Sequence, residues 1–251
     1  MIVDPAQDLA KLITLADQAL YLAKARGRNR VEVAPLEVSL GNEAPRYPSM
    51  IHAPEQSAPA APEILEKLWD FAKSAYLDNP IPALFKERLF VLLSRFCQVR
   101  YCIVRHCGFL VGYGHSSGDA SAAPQTIEQA LKLLKVPPPW RRQLEPIYEH
   151  LEAIAAAIDW PAPDSDAEDW MFAACAVLFV QPAKSERARG ALQHALGAKR
   201  LEYLLALLSF IRTAHYWTML HPGLEIEDDV RELMASNSEL ATLLLQDPDL
   251  G

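Results

Sequence analysis

From Pro62 to about residue 230, apolar side chains recur every three or four positions, and most runs stop at a proline or glycine. Few folds accept such a chain, because every helix has an apolar stripe that must be buried against another helix. The fold class predicted is therefore all-α, a helical bundle. Pro62 suits a first helical turn, and Ile64, Leu65, Leu68, Phe71, Ala72 and Ala75 follow at helical spacing. The sequence Asn79-Pro-Ile-Pro82 ends that helix and starts another through Leu84, Phe85, Leu89, Leu92 and Phe96. Gly112, Gly114 and the small polar residues to Pro124 read as a loop.

Further helices follow from capping chemistry. Thr126 can cap a helix that buries Ile127, Ala130, Leu131 and Leu134. After the Pro137–Pro139 run, one long helix is expected from Trp140 to Ile158. Ser165 with Glu168 resembles a capping box ahead of the apolar helix Trp170–Val180, where Cys175 is a core residue. An αα-hairpin is expected from Ser185–Leu196 and Ala198–Leu220, turning at Gly197. Residues 231–251 read as an acidic helical extension, with Leu233, Leu240, Leu243, Leu244 and Leu245 packing on the bundle or leading into another domain. His215, Tyr216, Trp217 and His221 read either as a helix end meeting solvent or as groups lining a site.

The 251 residues carry 24 basic and 32 acidic side chains, a formal charge of −8, with no basic run. That balance argues against a nucleic-acid partner. The first residues, MIVDPAQD, lack a secretory leader, and the apolar run around Leu201–Trp217 is interrupted by Arg212 well short of the ~20 residues that span a bilayer. A cytoplasmic protein without a membrane partner is expected. Residues 34–62 contain prolines 35, 45, 48, 54, 59 and 62 and no sustained apolar period, and so read as a linker. The four cysteines, Cys97, Cys102, Cys107 and Cys175, form neither a disulfide framework nor a zinc pattern, and no cofactor or metal is expected.

Chemistry concentrates between Glu87 and His106. Cys102 and His106 are four residues apart, so a helix places them on one face. Glu87 lies fifteen residues before Cys102, and a chain reversal would fold it back over the pair. The structural alternative is plain: cysteine is among the most buried residue types, and helix-surface glutamates are common.

Glu87, position 99, Cys102 and His106 fall at the spacing of the active-site signature of AhpD-type alkylhydroperoxidases, of the carboxymuconolactone decarboxylase superfamily, which this segment resembles. Tyr101 is also a usual neighbour of the second cysteine. The chain departs from that pattern at Val99, where redox-active members carry the first cysteine of CxxC. The resemblance covers residues 63–230 and implies an AhpD-like helical bundle that forms homo-oligomers. It also implies a break around Cys97–Arg100, which would put Cys102 in the first turn of a helix, where a thiolate is favoured. It implies thiol-dependent reduction of a small hydroperoxide, with Cys102 as peroxidatic thiol, His106 as its base and Glu87 setting the imidazole's basicity. With Val99 in place of a resolving cysteine, Cys97 or an external thiol or reductase would complete the cycle.

A second resemblance lies in residues 8–33. The run from Ala16 to Val31, ADQALYLAKARGRNRV, is similar to the C-terminal end of GGDEF diguanylate cyclase domains. It implies a short helix–strand remnant, residues 1–33, without cyclase activity, because the GGDEF loop and metal-binding acids are missing. With it comes the alternative function, a non-catalytic sensory or ligand-binding module of a bacterial signalling protein. Decarboxylation of a lactone acid has less support, because the site retains a thiol.

Overall fold

The computed structural model describes residues 62–154 and 157–245. The expected helix–strand remnant at residues 1–33 and nearly all of the linker lie outside these residues. The described residues form an all-α fold of nine α-helices, with no strand among them.

Helix α1, Pro62–Ala72, runs directly into a π-helical turn, Lys73–Leu77. The wide turn ends where Asn79 locks the chain. Its side-chain amide donates to the Ala75 carbonyl at 2.9 Å and the Tyr203 carbonyl at 3.0 Å, while its Oδ1 accepts from the Ile81 amide at 3.1 Å. Helix α2, Ala83–Phe96, begins after Pro82, and its residues from Phe85 to Phe96 are buried except Arg95, which is half-buried. Cys97 closes it. Gln98 then takes the left-handed conformation (φ 57°), and Val99 caps α3, Arg100–Leu110. The break thus falls where expected, and it lays α3 back along α2.

Helix α4, Ile127–Leu134, carries the expected cap in full: Thr126 Oγ1 accepts from the Gln129 amide at 3.2 Å, and Gln129 Oε1 accepts from the Thr126 amide at 3.0 Å. The long helix expected over 140–158 is not present. A 3₁₀ turn, Pro139–Arg141, precedes α5, Leu144–Glu152. Pro146 explains the difference, since a proline is tolerated only in a first turn and forces the helix to start beside it. Beyond α5, the Ile158 amide bonds to the Ala195 carbonyl at 2.9 Å instead of continuing a helix.

Helix α6, Asp166–Val180, starts at Ser165, whose Oγ accepts from the Glu168 amide at 3.3 Å. The capping box expected there is only half made, because the Glu168 carboxylate is taken by Arg88. Helix α7 runs from Glu186 to Leu220 with a kink at Gly197 (φ 74°, ψ 164°), where a left-handed φ requires glycine. Helices α8, Asp228–Ser236, and α9, Ser238–Leu245, finish the described chain. Helix α9 packs on α3 and α4; of the leucines expected to pack, Leu233, Leu240 and Leu244 join the core and Leu243 is half-buried against it, while Leu245, on the outer face, is exposed.

Helix α6 is apolar on every side because it is surrounded, with α5 and α7 against it and Met171 to Phe179 all buried. At the other end of the core, Tyr76 stacks on Phe210 at 5.0 Å and meets Phe90 edge-on at 5.8 Å. Each buried ring of this kind stabilises the fold by roughly 1.5–3 kcal/mol. Among the described residues no helix is long and apolar enough to cross a membrane.

Candidate active site between α2, α3 and α7

Glu87 lies in the second turn of α2 and is 0 % exposed, so it is no solvated surface charge. The reversal at Cys97–Val99 brings His106 of α3 against it, with Nδ1 2.5 Å from Glu87 Oε1. The second oxygen, Oε2, accepts from the Tyr76 hydroxyl at 2.5 Å and from the Ser117 amide at 2.8 Å, with Ser117 Oγ at 3.3 Å. Two donors on one oxygen keep a fully buried carboxylate satisfied. Glu87 therefore presents an acceptor to the imidazole, Nδ1–H donates, and the lone pair of His106 is left on Nε2.

Each partner is held in turn. Tyr76 sits in the π turn, whose end is gathered by Lys86: its Nζ donates to the carbonyls of Tyr76 at 2.5 Å, Leu77 at 3.2 Å and Asn79 at 3.1 Å. Burial lowers the Lys86 pKa to about 8, with the Glu87 charge opposing that shift. Ser117 reaches Glu87 from a 3₁₀ turn in the loop after α3, in a left-handed conformation (φ 48°, ψ 32°) that costs a non-glycine residue about 1–3 kcal/mol. The strain coincides with an amide aimed at the carboxylate. The His106 ring is stacked on Phe90 with centroids 3.6 Å apart and meets Phe109 edge-on at 5.6 Å.

Cys102 is the third residue of α3, in its first turn as expected, but its hydrogen-bond partner is on α7. Its Sγ lies 3.6 Å from Thr218 Oγ1. The expectation of a depressed thiol pKa is corrected here. Burial pushes the Cys102 thiol up to about 12, and the Thr218 bond offsets only part of that. A helix N-terminus favours a thiolate that water or a cation also supports, whereas this sulfur is 1 % exposed. The resting thiol is protonated.

Tyr101 turns away from the carboxylate. Its hydroxyl donates to Glu227 Oε1 at 2.7 Å, and Arg105, one turn on, pairs with Asp229 at 3.0 Å. These bonds fasten α3 to the start of α8. The tyrosine at the Glu87 carboxylate is Tyr76, from a segment whose sequence carries no motif. Cys97 is half-buried at the C-cap of α2, its pKa raised by burial and partly lowered by Arg212. Cys102 contacts Thr218, six residues further along α7 than Arg212 and so roughly 9 Å along the helix axis. All four cysteines are free thiols. Cys107 is fully buried, its pKa pushed up to about 12, and Cys175 lies in the core with its pKa raised by burial.

The four residues at and just after the end of α7 do not all meet solvent. Tyr216 is 63 % exposed, and Trp217 and His221 are half-buried and stacked on each other at 4.8 Å. His215 is instead buried against Ser94, with Nε2 2.8 Å from Ser94 Oγ. Tyr76, Ser117 and Thr218 were not legible as site residues. Thr218 alone had a signal, standing three positions after a histidine on one helix face. Among the described residues, no group of three or more His, Cys, Asp or Glu side chains could hold a metal ion. No protein-family model matches this chain, and neither does any curated protein or solved structure.

Proposed function

We propose that this domain reduces small hydroperoxides with Cys102 as the attacking thiol, in the manner of the AhpD-type enzymes it resembles. The observation that carries this reading is the buried Glu87–His106 pair at 2.5 Å, one helical turn from Cys102 on α3. A thiol held near pKa 12 reacts only if a base takes its proton as the bond forms, and an imidazole oriented by a carboxylate is such a base. The Cys102 proton passes to His106 Nε2, and the sulfur attacks the terminal peroxide oxygen. The O–O bond breaks, and the departing alkoxide takes the proton from His106 to leave as an alcohol. The cysteine is oxidised to a sulfenic acid and the peroxide is reduced by the same two electrons.

Two equivalents of an external thiol return the enzyme. The first forms a mixed disulfide with Cys102 and releases water, and the second displaces Cys102 as the thiol. Val99 leaves no cysteine at the usual resolving position. The test is consumption of tert-butyl hydroperoxide by the full chain with excess dithiothreitol. Cys102→Ser should abolish it, and Glu87→Gln should slow it about 10²-fold, the usual contribution of a positioned base. Equal consumption by the Cys102→Ser protein would sink the reading.

The burial of Cys102 and its contact with Thr218 favour a second reading, a sensory or ligand-binding module of a signalling protein. A sensor oxidises once per chain and then stops, so the number of peroxides consumed per Cys102 separates the two.

A further inference from the structure

His215 stands three residues before Thr218 on α7, so both side chains lie on the helix face that meets α2 and α3. Thr218 touches Cys102. Phe90 touches both imidazoles, stacked on His106 at 3.6 Å and edge-on to His215 at 5.8 Å. His215 is thus the α7 counterpart of His106.

Its tautomer follows from Ser94. The single hydroxyl proton of Ser94 goes to the Phe90 carbonyl at 2.7 Å, so Ser94 Oγ accepts from His215 Nε2–H at 2.8 Å. The lone pair then sits on Nδ1, which is buried and has no hydrogen-bond partner. A second proton there would place a cation 1 % exposed, within reach of His106 and Arg212, both of which disfavour it, and burial holds the His215 pKa down to about 3. The walls beside it are aromatic, Phe90 and Phe179, the latter edge-on at 5.5 Å. A bare acceptor in such a place is costly until a donor reaches it.

We propose that His215 orients the ligand of this site, its Nδ1 accepting a hydrogen bond from the hydroxyl of a small uncharged molecule lodged beside Phe90 and Phe179. Anions and ethers present only acceptors to that lone pair and are selected against. A hydroperoxide carries such a hydroxyl, so the inference rests on the peroxide reading for its substrate, though not for the acceptor itself.

The experiment uses the full chain with histidine-selective ¹⁵N labelling and follows the ring nitrogens by NMR. The probes are 2-phenyl-2-propanol and its methyl ether, which lacks the donor and carries one added methyl, so the comparison is read against His215→Phe. At pH 7, His215 Nδ1 should give an unprotonated signal that moves as the alcohol is added. The ether should bind roughly tenfold more weakly, the usual effect of denying a buried polar group its partner. His215→Phe should erase the preference for alcohol over ether. A protonated Nδ1, equal binding of both probes, or binding of neither overturns the proposal, and the first two are read on unaltered protein. Turnover of tert-butyl hydroperoxide on the same sample keeps the readings separate. No turnover with the alcohol preference intact removes the peroxide reading and leaves His215 as the acceptor.

Discussion

Glu87 and Arg88 are neighbours on α2, 0 % and 2 % exposed, and each anchors a buried polar cluster on its own side of the helix. The Arg88 cluster is closed. Its Nε and one Nη bond Glu168 at 2.9 and 2.8 Å, that same Nη bonds Asp164 at 2.9 Å, and the other Nη bonds Gln125 at 2.9 Å. A guanidinium keeps its protons at any ordinary pH, so this cluster can hold parts together and do little else. The Glu87 cluster is equally buried but ends on an imidazole, a group able to gain and lose a proton. Two charges side by side in sequence therefore differ in use because of what each one's last partner can do.

The comparison breaks first at Arg88. Arg88→Ala leaves Glu168 buried without its cation, and the protein should lose about 3–5 kcal/mol in denaturant unfolding. Retention of full stability would mean the cluster is not structural. Acid titration sharpens the other side. His215 has a folded pKa near 3 against 6.5 unfolded, so the unfolded chain binds the extra proton in that window. Stability should be fully present above pH 6.5 and fall by a few kcal/mol as pH drops towards 3. His215→Phe should flatten that part of the unfolding curve.

Tyr76→Phe removes one of the donors to Glu87 Oε2 and should cost about 1–2 kcal/mol. It should also lower peroxide turnover while leaving Cys102 in place, and an unchanged rate would place Tyr76 in the core alone. The smallest effect is expected at Gln98, exposed and left-handed at φ 57° between α2 and α3. Gln98→Gly should raise the melting temperature slightly, a gain of up to about 1 kcal/mol from relieved strain.

Periodicity and punctuation exposed the all-α class, because it is written in contiguous residues, whereas the α2–α3 break, with neither proline nor glycine from residue 83 to 107, was expected only from the resemblance. They misjudged α5, where Pro146 set the start of the helix, and the Ser165 box, where Glu168 answered to Arg88 from 80 positions away. The site shows the same division. Glu87, Cys102 and His106 stand at a readable spacing, whereas Tyr76 and Ser117 arrive through a π turn and a strained loop that no local pattern announces. The protonated state of Cys102 was also beyond the sequence, since it comes from the depth at which α7 buries α3.

Every group bonded to the Glu87 carboxylate comes from residues 76 to 117, and none lies more than 30 positions from Glu87. Cys102 and Thr218 are 116 apart, and Ser94 and His215 are 121 apart. Closing a short loop costs less chain entropy than closing a long one, and local contacts form sooner. As the chain collapses, the carboxylate–imidazole pair can assemble within one helical hairpin, and the thiol is sealed over later, when α7 docks.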